Sequence, residues 1–242
     1  MRIIKVGATN STNSFAKDLY KNNLINEATC IVAHSQTEGR GQRGSQWQSN
    51  EGENLTFSVV FPNLNINAGK QFLITASVAM ALVEGLKSLK INRLKIKWPN
   101  DIMASGKKIA GILIENFVSN GRTTTSIIGI GLNVNQTHFF NLPNAASLKM
   151  LTETSYNLDQ VLQICLQNLQ NVLLDLKERL SSDIIDQYHQ HLFKYQQPST
   201  FQLPNQKYFV GVIEGVSSTG KLMVQTEDKV QEYDIKEIKL CF

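Results

Sequence analysis

Hydrophobic and polar positions along this chain repeat with two periods, and the switches between them divide it into elements. Residues 2–6 read as a short strand. Over 12–22, Phe15, Ala16 and Leu19 fall on one helical face, with Ser11 or Thr12 as the N-cap. The apolar run 28–34 reads as a buried strand, and 54–61 alternate with period two until Pro62, which is expected to end them. Between these two strands lies a polar, glycine-rich loop over 35–53. From 70 to 89, Phe72, Leu73, Ala76, Ala79, Met80, Val83 and Leu86 recur at three-to-four spacing and predict a long helix. Runs at 93–98, 109–117 and 124–134 predict strands, the last two joined through Ser119-Asn120-Gly121 as a tight hairpin. Residues 157–180 carry the stripe Leu158, Val161, Leu162, Cys165, Leu169, Val172 and Leu176 of a second long helix, and a shorter one is expected over 183–193.

After Gln196-Gln197-Pro198 the character changes to short alternating runs at 208–213, 221–225 and 230–235, with a turn at Ser217-Ser218-Thr219-Gly220. The expected organisation is a mixed α/β unit over 1–196 with a small β unit over 197–242 packed on it.

Composition narrows the class. With 42% hydrophobic and 18% charged residues, 15 Gly and 5 Pro, the chain is neither disordered nor collagen-like. Lys+Arg 24 against Asp+Glu 20 gives +4, and the basic residues are scattered, so a mild preference for anions follows but no nucleic-acid stripe. Cys30, Cys165 and Cys241 lie far apart in or beside apolar stretches, as small core residues of a reducing compartment do. The N-terminus lacks the apolar run of a signal peptide, and no stretch is apolar for long enough to span a bilayer. A cytoplasmic protein with no membrane contact is expected.

Four segments carry chemistry. Gly39-Arg40-Gly41-Gln42-Arg43-Gly44 formally matches a dinucleotide fingerprint, but residues 35–38 separate it from the preceding strand and no helical stripe follows it. It reads either as a loop that lets backbone and guanidinium groups approach an anion or as a solvated turn. Lys97-Trp98-Pro99-Asn100-Asp101 brings a lysine, an amide and a carboxylate within one turn, a set suited to phosphate and a divalent cation. A core Trp followed by a Pro-Asn-Asp turn is the plainer alternative. In Lys108-Ile109-Ala110-Gly111-Ile112-Leu113-Ile114-Glu115 a strand contains a glycine, which marks either close approach by a ligand or a bulge. Gly129-Ile130-Gly131-Leu132-Asn133-Val134-Asn135 buries one face and lines the other with glycines and amides, leaving room for a ligand or for another backbone. The four histidines have no metal-binding or nucleophile-pairing spacing, and no Walker A or nucleophile-elbow motif occurs.

Taken together and in order, Ser11-Thr12-Asn13, Gln36, the glycine loop, Trp47 and the last three segments resemble the biotin protein ligase family, also called biotin–[acetyl-CoA-carboxylase] ligases. The resemblance covers nearly the whole chain. It implies a catalytic domain akin to class II aminoacyl-tRNA synthetases, with a mixed sheet flanked by helices, and a small C-terminal β-barrel. It implies that biotin and ATP give biotinyl-5′-adenylate, and that a lysine of the biotin carboxyl carrier protein then takes the biotinyl group. Ser11 opens the catalytic pattern, so the DNA-binding domain of some relatives, and with it DNA binding, is expected to be absent. Both monomers and homodimers occur in the family.

By the same resemblance, Ser11, Thr12, Asn13 and Gln36 hydrogen-bond the ureido ring of biotin. Gly39, Arg40, Gly41, Gln42 and Lys108 also surround biotin, Gly111, Gly129 and Gly131 form the pocket wall, and Trp47 packs over the intermediate. ATP falls to Arg40, Gln42, Arg43, Lys97, Asn100 and Asn133, with Mg²⁺ at Asp101 and Asn133. Arg40, Lys97, Lys108 and Asp101 carry catalysis, Asp101 by orienting the attacking amine. The family often has arginine where this chain has Gln42, and there the arginine helps retain the adenylate. A lipoate protein ligase is the nearest rival, and a non-catalytic nucleic-acid or anion-binding module is the rival from another class.

Overall fold

Alternation along the strands of the first 132 residues puts one set of side chains on each face of a single sheet. The computed structural model describes residues 1–242, the side chain of Arg43 excepted. Seven strands form the sheet: β1 (Arg2–Thr9), β2 (Thr29–Gln36), β3 (Leu55–Asn67), β4 (Leu94–Lys97), β5 (Asp101–Ala104), β6 (Lys107–Ser119) and β7 (Arg122–Leu132). Their order is β1-β2-β3-β7-β6-β5-β4, with β1 and β2 parallel and every other neighbour antiparallel.

Phe57, Val59 and Phe61 of β3 and Ile128, Ile130 and Leu132 of β7 point to one face and belong to the main core. Helices α2 (Phe72–Ser88), α4 (Leu158–Asp175) and α5 (Ser181–His191) build on that core, α2 packing against both of the others. Trapped between sheet and helices, α2 is apolar nearly all round rather than along a stripe. The alternate residues Val60 and Ile127 point to the opposite face, where they pack on α1 (Thr12–Lys21) through Ala16, Phe15 and Leu19. Helix α3 (Leu148–Thr152) is short.

The second sheet is antiparallel and five-stranded: β8 (Pro198–Gln202), β9 (Tyr208–Val216), β10 (Leu222–Gln225), β11 (Val230–Tyr233) and β12 (Lys239–Cys241), in the order β11-β10-β9-β8-β12. Its Phe201, Ile213, Val216, Leu222 and Val224 join the same hydrophobic cluster as α2 and the large sheet. The fold is therefore the expected mixed sheet with helices, followed by a smaller β structure. Among the described residues no helix is long and apolar enough to cross a membrane.

Some local expectations need correction. β3 does not stop at Pro62 but continues to Asn67, with an irregularity in its pairing to β7 between Pro62 and Ile66. Pairing with β2 ends at Val60, so Pro62 sits where β3 has one free edge and no donor is needed there. The single run at 93–98 is the first half of a β4–β5 hairpin, and β5 was hidden because it is only four residues long. The second long helix ends at Asp175 rather than at residue 180. Cys30 and Cys165 are buried free thiols, as expected, and burial pushes each up to about 12.

Candidate active site

Strand register builds the floor of the site. Thr56 stands opposite Gly131, Gly131 opposite Gly111, Gly111 opposite Asp101, and Asp101 opposite Lys97. Directly opposed residues share a face, so this row runs across β3, β7, β6, β5 and β4 from a hydroxyl, over two glycines, to an ion pair. A parallel row holds Ser58, Gly129 and Leu113.

The glycines make space, and side chains from elsewhere partly fill it. A Cβ on Gly131 would collide with the Trp47 indole, and one on Gly111 would lie 3.2 Å from its Cζ3. A Cβ on Gly129 would strike the Asn13 carboxamide. The glycine-and-amide face thus receives side chains, not another backbone.

At the hydroxyl end, α1 presents Ser11, Thr12 and Asn13, all buried. Ser11 occupies the N-cap position but makes no side-chain cap bond, leaving its hydroxyl to the cavity. Gln36 Oε1 accepts the Thr12 N–H at 2.9 Å. Ser58 donates to Asn13 Oδ1 at 2.6 Å and lies 2.7 Å from Thr12 Oγ1. Asn13 Nδ2 reaches Leu113 O and Glu115 Oε2, both at 3.2 Å, and Lys17 Nζ holds Glu115 Oε1 at 2.8 Å. These bonds orient the amides of Asn13 and Gln36 and the hydroxyls of Thr12 and Ser58, as a donor–acceptor surface for a polar ring requires.

The glycine loop folds back on itself. Trp47 N–H donates to Gly39 O at 2.9 Å, Gly41 N–H to Ser45 O at 2.7 Å, and Arg40 and Gln46 form an isolated bridge. Gly39 is buried with no room for a Cβ between Trp47 O and Gln36, and Gly44 takes a φ of +85°, a conformation that suits glycine. The loop thereby turns Arg40, Gly41 and Gln42 toward the cavity and lays Trp47 across its floor.

At the ionic end, Lys108 Nζ lies 2.6 Å from Asp101 Oδ1 and Lys97 Nζ 4.0 Å from Asp101 Oδ2. Lys108 Nζ also stands 5.7 Å from the Trp47 ring centre. Burial pulls the Lys97 pKa below the usual lysine value, with Asp101 opposing and Lys108 and Lys239 reinforcing the shift. Two ammonium groups share one carboxylate, which leaves a net positive charge at this end of the site. Asn100 bonds across to β6, its Nδ2 donating to Ile112 O at 2.6 Å.

A cavity of about 220 Å³ is lined by Ser11, Thr12, Asn13, Gln36, Arg40, Gly41, Gln42, Trp47, Asn100, Asp101, Lys108, Gly111, Gly129 and Gly131. A second, of about 270 Å³, is lined by Trp47, Lys108, Asn133, Phe139, Leu142 and Ala145 among others. Trp47 and Lys108 belong to both. Trp47 Nε1 and Asn133 Oδ1 are buried without a partner, although Asn133 Nδ2 donates to Ala146 O at 3.0 Å.

Gly39 supports the loop behind the first cavity, Lys97 stands outside its lining, and Asn133 serves the second. The Arg43 side chain lies outside the described residues. Residues that sequence reasoning did not assign are Thr56, Ser58, Glu115 and the stretch 139–145. Thr56 and Ser58 were visible as the polar positions of an alternating strand, whereas nothing in the sequence tied 139–145 to the cavity.

Residues 6–133 match the model of the biotin/lipoate A/B protein ligase family. The chain belongs to this family. Among family relatives, the Bacillus subtilis bifunctional ligase/repressor BirA is 40% identical over 127 residues, 52% of this chain and 38% of that one. A Paracoccus denitrificans biotin–[acetyl-CoA-carboxylase] ligase is 34% identical over 126 residues, 52% of each chain. These matches span about half or less of the relatives' length. The fold matches that of the Aquifex aeolicus biotin protein ligase in complex with biotin and ATP, with a TM-score of 0.80 at 24% identity, covering 99% of this chain and 98% of that one.

Proposed function

We propose that this chain is a biotin protein ligase that forms biotinyl-5′-adenylate and transfers the biotinyl group to a lysine of a biotin carboxyl carrier protein. The observation that carries the reading is the pair of cavities meeting at Trp47 and Lys108. One ends in an oriented amide and hydroxyl network suited to a ureido ring, and the other offers a buried, unpartnered acceptor at Asn133. The names of the relatives and the biotin- and ATP-bound structural neighbour agree with it.

In the first step a biotin carboxylate oxygen bonds to the α-phosphorus, and the bond from that phosphorus to the bridging oxygen breaks, so pyrophosphate leaves with the electron pair. Bringing two anions to about 4 Å at an effective dielectric near 20 costs about 4 kcal/mol. Lys108, at the junction, and Arg40 and Lys97 offset that repulsion and stabilise the phosphoryl oxygens. In the second step the carrier amine attacks the acyl carbon, loses a proton and expels AMP. Asp101 is the group to receive or orient that amine, once phosphates compete with it for Lys108.

Mg²⁺ fits this donor set in part. Asn133 Oδ1 is a free buried oxygen, and Asp101 becomes a ligand only as its lysines turn to phosphate. The described residues hold no cluster of three acidic, His or Cys groups, so substrate phosphates and water would supply the other ligands. Bound there, the ion would polarise phosphoryl oxygens as a Lewis acid.

We assign adenylate formation to residues 1–196 and a supporting role to 197–242, and place the protein in the cytoplasm. Incubation with ATP, Mg²⁺ and an apo carrier domain, with biotin or lipoate in parallel, tests the reading by intact mass. A gain of one biotinyl group is expected. A gain of lipoyl alone, or no gain with either acid, overturns it.

A further inference from the structure

Lys97 approaches the site from outside the first cavity, and segments distant in sequence meet around it. Phe193, which follows α5, donates its N–H to Ile96 O at 2.8 Å, one residue before Lys97. Phe242, which follows β12, sets its ring edge-on against Phe193, with centroids 5.2 Å apart and planes at 69°. Lys97 Nζ stands 5.1 Å from the centre of the Phe242 ring. Asp101 Oδ2, 4.0 Å from Lys97, is the one carboxylate contact of this ammonium among the described residues, and Asp101 is more tightly engaged by Lys108. The Lys97 side chain is 24% exposed, and Lys108 and Lys239 add like charge around it. An ammonium that has lost much of its water, with only a shared counter-ion, gains most from a π face.

We propose that Phe242 is a positioning residue for Lys97, its ring face holding the ammonium toward Asp101 and so letting the small β sheet place one of the cations that meet the nucleotide phosphates. The role given to Lys97 rests on the adenylation reading above. Phe242→Leu keeps an apolar contact for Phe193 but removes the ring face, whereas Phe242→Tyr keeps both.

In biotin-dependent exchange of pyrophosphate into ATP by the full chain, Phe242→Leu is expected to raise KM for ATP about three- to tenfold. Its biotin affinity and melting temperature should stay unchanged, and Phe242→Tyr should match the parent. Because Phe242 acts through Lys97, Phe242→Leu should add no further loss in a Lys97→Gln background. A KM unchanged in Phe242→Leu, an equal rise in Phe242→Tyr, or a loss undiminished beside Lys97→Gln overturns the inference. If the parent exchanges no pyrophosphate, the adenylation reading fails instead. The inference is then decided by crystal structures of the parent and both variants, reading the position of Lys97 Nζ. An ammonium turned away from Asp101 in Phe242→Leu but not in Phe242→Tyr supports it, and an unchanged position in Phe242→Leu overturns it.

Discussion

Ser58 fixes the oxygen of Asn13 at 2.6 Å and stands 2.7 Å from Thr12 Oγ1, so one hydroxyl sets two groups that face the cavity. Ser58→Ala leaves a buried acceptor unsatisfied, at a cost of about 1–3 kcal/mol. Calorimetry should report biotin binding weakened by about tenfold or more, with the fold intact by circular dichroism. At Gln42 the amide lines the first cavity without bringing a charge. Gln42→Arg adds a cation beside the adenylate, and slower escape of the intermediate is expected when a free amine is used as the trap. Equal leakage from both proteins would refute that role. Residues of this kind were legible where they stand in one contiguous motif, as in Ser11-Thr12-Asn13 or Lys97-Trp98-Pro99-Asn100-Asp101. Ser58 was legible only as a polar position of an alternating strand, and its place in the site follows only once pairing puts it opposite Gly129.

Between α5 and β9 the joint is a histidine. Val216 N–H donates to His189 Nε2 at 2.9 Å, so the ring is neutral with its proton on Nδ1, and it stacks on Tyr195 at 5.6 Å. Burial lowers the His189 pKa below its ordinary value of 6.5. The unfolded chain therefore binds more protons than the folded one as pH falls through 6.5, and stability drops there; it is fully present above that value. Burial shifts His191 the same way. Denaturant midpoints measured from pH 8 to pH 5 should fall, and His189→Gln should remove part of that slope while lowering stability at pH 8 by about 1 kcal/mol. A slope identical in the variant would exclude His189 as a source. The period of the apolar pattern made the four longer helices legible, because a stripe of ten or more residues survives local irregularity. α3 and β12 owe their form to partners farther off in the chain, Asn133 for Leu148 and β8 for β12, whereas β5 and β8 pair with neighbouring strands but are only four and five residues long, too short for a period to show.

Across the molecule, the two sheets are tied at the segment that also holds Lys97 and Asp101. Trp98 donates its Nε1–H to Gly220 O at 2.9 Å, and Gly220, with a φ of +88°, sits against Phe72 of α2 with no room for a Cβ. Trp98→Phe keeps the ring and loses the bond, worth about 1 kcal/mol, so melting should drop by about 2–4 °C in one cooperative transition. Two separate transitions would contradict a shared core. The change of character near Pro198 was legible from composition and alternation, but the Trp98–Gly220 tie was not, since it joins residues 122 apart. The large sheet also works as a partition: Phe57, Val59 and Ile128 face the main core, while Thr56, Gly129 and Gly131 line the cavity on the other side, with Ser58 behind Thr12 and Asn13. Variant libraries sorted only by how much protein accumulates in cells will therefore enrich for damage on one side of this wall and pass over the other. Clones altered at Arg40 or Lys108, which line the cavity without packing in the core, would look healthy in such a screen and yet be inert.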